Sequence, residues 1–117
     1  MRIVISGEVD FDPASRAAAL AGARALIDQA LAQKGCRHYA WTPDPFDAGR
    51  IHVFEEWDSA DELAAHLAGP AYAGMIAHLS GFGIRGAVTR KYRVDLVEPV
   101  YGPDGKPTAT FLTAPRD

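Results

Sequence analysis

The sequence predicts one α+β domain in the order β-α-β-β-α-β. Such an order builds a four-stranded antiparallel sheet with helices on one face, here followed by an extra C-terminal hairpin arm. Three observations predict it. Residues 2–11 and 50–58 alternate with the period of a strand. The stretches between strands carry helix start and stop residues. The 117 residues, 48% hydrophobic and 23% charged, suit a single core rather than disorder or two domains.

In the first strand Ile3, Ile5, Gly7, Val9 and Phe11 share one face, and Arg2, Val4, Ser6, Glu8 and Asp10 the other. Asp12-Pro13 starts a helix, with an Asp cap and a Pro where the missing N–H costs nothing. That helix is expected to run to about Lys34 and stop at Gly35, with Leu20, Ala23, Ile27, Ala30 and Leu31 as its apolar stripe. Residues 36–42 form a second strand bearing Tyr39 and Trp41, and Pro43, Asp44, Pro45 and Gly49 mark a loop. In the third strand Ile51, Val53, Glu55 and Trp57 oppose His52, Phe54 and Glu56. Ser59 and Glu62 read as a capping box. The helix it opens carries Leu63, His66 and Leu67, breaks at Gly69-Pro70, and resumes with Tyr72, Met75, Ile76 and Leu79. After a glycine-rich connector at 80–86, a long strand covers 87–100. Pro103-Asp104-Gly105 turns the chain toward a final strand at 108–112. Residues 1–97 are thus the domain and 98–117 the arm, which is expected to touch a partner subunit.

The net charge of −3 disfavours non-specific contact with nucleic acid or an acidic membrane. No apolar run approaches the roughly 20 residues of a membrane span. The single cysteine, Cys36, allows no internal disulfide and reads as an inert thiol. The N-terminus reads as a strand rather than a signal peptide, so a cytoplasmic protein is expected. With both helices on one sheet face, the other face is not purely polar. It holds Val4, Tyr39 or Ala40, Phe54, and Val88 or Val97. Such a face predicts a homodimer; the alternative is that the arm folds back over it.

Gly81-Phe82-Gly83-Ile84-Arg85-Gly86 matches G-x-G-x-x-G, but a helix precedes it and a strand follows. A dinucleotide needs the reverse, so that its pyrophosphate meets a helix N-terminus. His38, His52, His66 and His78 show no metal-ligand spacing. His66 shares the stripe of Leu63 and Leu67, which aims its ring inward. It reads either as a neutral base or substrate hydrogen-bonder, or as a satisfied core histidine. Trp57 reads as a core anchor or as a flat wall for an aromatic substrate. Tyr72 and Met75 project toward the same space, or simply pack helix on sheet. The chain has no Asn, and its side-chain amides are Gln29 and Gln33.

Gly35-Cys36-x-x-Tyr39, Phe54-Glu55-x-Trp57-x-Ser59, Ala65-His66-Leu67 and Pro70 together resemble the antibiotic biosynthesis monooxygenase family. The likeness covers residues 1–96. It implies ferredoxin-like topology and a dimeric α+β barrel, with a cavity between sheet and helices in each subunit. Members range from quinol and anthrone oxygenases to haem degraders and an isomerase. In the oxygenases the deprotonated substrate reduces dioxygen itself, with no flavin, haem or metal. The resemblance therefore implies a cofactor-independent monooxygenase acting on a small aromatic quinol- or anthrone-like compound. His66 would accept a proton, Tyr72 would donate to the same oxygen, Trp57 and Met75 would contact the substrate, and Arg85 would stabilise an anion. Where some members carry an axial histidine for haem this chain has Ile76. The alternative is a non-catalytic ligand-binding or stress-related dimer on the same scaffold.

Overall fold

In a computed structural model that describes residues 1–113, β1 (Arg2–Phe11) takes the middle of the sheet. It is followed by α1 (Arg16–Gly22), α2 (Arg24–Leu31), β2 (Cys36–Pro43), β3 (Arg50–Trp57), α3 (Ala60–Leu67), α4 (Pro70–Leu79), a 3₁₀ turn at Ser80–Phe82, and β4 (Ile84–Val94). The strands lie in the order β2-β3-β1-β4 with every neighbour antiparallel. This is the ferredoxin-like arrangement predicted, with each helical region split in two.

Register places Ile3 opposite Trp57, Ile5 opposite Glu55 and Val9 opposite Ile51. Directly paired residues point to one side of a sheet, so these form a common inner face. Phe11, Ile51, Val53 and Trp57 are buried there with Ala19, Ala23, Ala30, Leu63, Met75 and Leu79 from the helices. The outer face presents Phe54, Val88 and Tyr92, each about half exposed, beside Val4. Arg2 pairs with Glu56 at 3.3 Å, and Arg50 with Asp10 at 2.9 Å, at opposite ends of that face.

The first helix departs from expectation. The Asp12 carboxylate accepts from the Ala14 amide at 3.0 Å, which holds a turn rather than a helix start. Helix begins only at Arg16, and the segment breaks at Ala23. The break has a visible cause. The Ala19 carbonyl, whose helical partner would be the Ala23 amide, accepts instead from His78 Nε2–H at 2.9 Å. Ala23 turns to the Leu20 carbonyl at 3.1 Å, the tighter 3₁₀ pattern. Gly22 gives the His78 ring room: an added Cβ would lie 2.4 Å from it. The helix also ends before Gly35, and Leu31 is 44% exposed rather than in the stripe.

The last strand starts earlier than expected, at Ile84, and stops at Val94. Val94 pairs with Arg2, where β1 begins. Residues after Val94 therefore have no ladder to continue. The arm holds one bridge, Tyr101 to Pro107, around the Pro103-Asp104-Gly105 turn. Residues 108–112 form no strand. Glu98 instead clasps the chain, its carboxylate accepting the Leu112 amide at 2.8 Å and the Thr113 amide at 2.7 Å. Residues 114–117 of the expected arm lie outside the described residues.

Candidate active site

The rotation of α3 is set at its first turn. Ser59 Oγ accepts from the Glu62 amide at 3.3 Å and its hydroxyl donates to Glu62 Oε2 at 2.9 Å. The acidic member of the box thus reaches the serine hydroxyl rather than its backbone. This start directs Leu63 and His66 inward, one turn apart, and leaves Leu67 46% exposed.

His66 is 1% exposed. Its ring lies 4.6 Å from the Trp57 ring at 32°, and edge-on to Tyr39 at 5.5 Å and Tyr72 at 6.0 Å. Four elements, β2, β3, α3 and α4, thus converge on one imidazole. Nδ1 lies 2.6 Å from Gln33 Oε1 in the turn after α2. An amide oxygen only accepts, so Nδ1 carries the proton and Nε2 keeps its lone pair. Burial lowers the His66 pKa from its ordinary 6.5. The ring is therefore a neutral acceptor near pH 7, against the pull of the α3 C-terminus, which favours a cation.

Glu55 is also buried and ionisable, 8% exposed. It accepts from Trp57 Nε1–H at 3.0 Å, while burial raises its pKa above the usual carboxylate value and that bond opposes the rise. Tyr39 sits directly opposite Glu55 across the β2–β3 ladder. Burial, and then the Glu55 charge, push its phenol up to about 12, so it stays a donor. Tyr72 is 39% exposed and marks the side where the cluster meets solvent. The arrangement can take a proton at Nε2, offer phenol donors beside it, and exclude most water.

The structure thus brings together His66, Trp57 and Tyr72 among the residues expected from sequence. Trp57 is 0% exposed with its ring against His66, where it holds the imidazole in place. Met75 is 2% exposed within the core cluster, the packing role. Arg85 does not join the site. It lies on β4 next to Gly86, which pairs with Asp10, whereas Trp57 pairs with Ile3 at the other end of β1. Arg85 faces Asp12 instead, at 3.5 Å. The expected cavity under α3 is not among the clearest hollows: these, of about 420 and 1070 Å³, both border the arm.

Sequence reasoning passed over Gln33, Tyr39 and Glu55. Glu55 carried a signal, being an acid on the apolar face of an alternating strand. Tyr39 needed the strand register. Gln33 needed the turn that brings its amide oxygen to His66 Nδ1. Among the described residues no three His, Cys, Asp or Glu side chains converge as a metal-binding group, and no helix is long and apolar enough to cross a membrane.

Comparison with known proteins places this geometry. Residues 2–78 match the sequence model of a family described as antibiotic biosynthesis monooxygenase. No curated protein matches the chain. A candidate antibiotic biosynthesis monooxygenase from Deinococcus radiodurans shares the fold with a TM-score of 0.77 and 18% identity, over 86% of this chain and 99% of that one. One from Chloroflexus aurantiacus does so at 0.69 and 24%, over 85% and 98%. A conserved Bacteroides thetaiotaomicron protein, described as a candidate oxidoreductase, gives 0.69 and 21%, over 78% and 95%.

Proposed function

Because the chain belongs to the antibiotic biosynthesis monooxygenase family, we propose that it is an oxidoreductase that inserts one atom of dioxygen into a small quinol- or anthrone-like aromatic, with His66 as the base. The observation that carries this reading is the buried imidazole whose Nδ1 is committed to Gln33 and whose Nε2 lone pair remains. The substrate supplies the electrons. His66 removes a proton from an activated ring carbon or its enol, leaving an electron-rich carbanion. That anion reduces dioxygen and forms a carbon–oxygen bond, and His66 returns its proton to the peroxide. Loss of the remaining C–H proton to His66 breaks the O–O bond. One oxygen stays as a carbonyl and the other leaves as water, so CH₂ and O₂ become C=O and H₂O. Tyr72 and Tyr39 supply donors to the developing anion, and the surrounding aromatic side chains keep water from it.

We also propose a homodimer joined through the outer sheet face. Its exposed Phe54, Val88 and Tyr92 form an apolar strip on a chain of 117 residues, and such a strip supports association. Oxygen uptake with a panel of quinols and anthrones tests the activity. Consumption of one O₂ per substrate with a new carbonyl product is expected. Saturable binding with no oxygen consumed across the panel would favour the ligand-binding alternative.

A further inference from the structure

Phe46 is 96% exposed, more than any other large apolar side chain among the described residues. The loop that carries it, between β2 and β3, is firmly held. The Asp44 carboxylate accepts from the Phe46 and Asp47 amides, each at 2.8 Å, and its other oxygen lies 2.6 Å from His52 Nε2. The Arg16 guanidinium, at the start of α1, donates to the carbonyls of Asp44, Asp47 and Arg50 at 2.6 to 3.2 Å. The loop is thus fastened to a strand and a helix while its aromatic ring stands clear of the chain. A preformed, exposed aromatic is the usual form of an interface anchor, because little loop entropy remains to be lost when it is covered.

The opposite end of the sheet holds a hollow of about 1070 Å³, between the arm and the place where β1 begins and β4 ends. Val94, Leu96, Val97 and Phe111 give it apolar walls. Arg2 and Arg37 stand beside them, paired with Glu56 and Asp58. Between anchor and hollow runs the outer sheet face with Phe54, Val88 and Tyr92, the surface proposed above to join two copies. A two-fold axis can stack such faces with like ends together or with opposite ends together. Charge decides between them. Near Phe46 the outer face carries Glu8, Asp10 and Asp44 against Arg50. Stacking like ends would set these acids against their own copies, and like charges across an interface repel. Opposite ends together avoid that clash and lay each Phe46 loop over the other copy's hollow.

We propose that Phe46 of each copy inserts into the hollow between arm and sheet end of the other, twice per dimer by symmetry. The occupant of the hollow is a second copy of this chain. The Glu98 clasp on Leu112 and Thr113 then has a purpose, since it holds Phe111 in place as a wall. This rests on the outer-face dimer, and it adds the residue that sets how the two copies are oriented.

The test compares wild type and Phe46→Ala in sedimentation equilibrium, then maps the contact. The dimer of the variant is expected to be at least about 100-fold weaker, because two rings lose their burial per dimer. Its far-UV circular dichroism should match the wild type, since the ring touches nothing in its own protomer. With photoreactive p-benzoylphenylalanine in place of Phe46, irradiation should link two chains, joining position 46 to residues 94–97 or to Phe111. A variant dimer as tight as the wild type overturns the proposal. So does a cross-link between the two loops, a cross-link elsewhere, or none. Should Phe46→Ala not fold, the cross-link map decides alone. A wild type that stays monomeric removes the outer-face dimer and this inference with it. A wild-type dimer indifferent to Phe46 overturns this inference and leaves the outer-face dimer standing.

Discussion

His66 is held neutral by burial, and that has a cost in acid. Its folded pKa lies below the ordinary 6.5, so between those values the unfolded chain binds more protons than the folded one. Stability from this group is full above pH 6.5 and falls as pH drops through the folded value. His66→Gln cannot titrate. Its stability at pH 8 should match the wild type to within about 1 kcal/mol, since a polar contact with Gln33 survives. The wild type should lose ground to it on going to pH 5, as scanning calorimetry at both pH values would show. Glu55 behaves in the opposite sense. Its raised pKa means the charged form is resisted by the fold, so its contribution is present below the unfolded value of 4.5 and lost above it. Glu55→Gln keeps an acceptor for the Trp57 indole and removes the buried charge. It should raise the melting temperature at pH 8, and the gain should vanish at pH 4. Half of this chemistry was legible in the sequence. The inward stripe of α3 pointed to His66, and alternation placed Glu55 and Trp57 on one face. The partners that fix the tautomer and the cage, Gln33 and Tyr39, depend on register and on a turn that no local pattern specifies.

At the scale of elements, local signals worked where the chain makes its own contacts and failed where distant groups intervene. The capping box sets α3 because Ser59 and Glu62 satisfy each other within one turn. Ser59→Ala should cost about 1 kcal/mol, measurable by urea unfolding, and should loosen the aim of His66 with it. The alternation of β3 survives intact because Ile51, Val53, Glu55 and Trp57 all bury on one side. The helix from Asp12 did not survive as one piece, because His78, 59 residues away, takes a carbonyl from its ladder. The last strand was drawn too long for a similar reason. Its length is set by where β1 begins, which its own residues do not encode. The same register sets Arg85 apart from Trp57, since β4 runs antiparallel to β1 and carries its first residues to the other end of it.

At the scale of the molecule, two exposed apolar surfaces bear on association. One is the outer face with Phe54, Val88 and Tyr92. The other is the arm, where Val97, Val100, Tyr101, Phe111 and Leu112 are each more than 60% exposed although Glu98 gives the segment an ordered path. Apolar side chains on an ordered arm suit a contact with a second copy of the chain. Truncation after Val97 should weaken a dimer at least 10-fold in sedimentation equilibrium, the effect of losing about 1.4 kcal/mol. An unchanged dimer would leave the arm without that role. The account as a whole turns on a neutral imidazole, inside this family's fold, acting as the base for oxygen chemistry. The most direct test is the pH profile of kcat/KM for oxygen consumption, in wild type and in His66→Gln. The wild type should lose activity in acid, below the pH at which an ordinary histidine titrates, as His66 takes a proton. The variant should be slower by roughly 10² to 10⁴ and show no such acid limb. A variant with full activity and the wild-type profile would contradict the account.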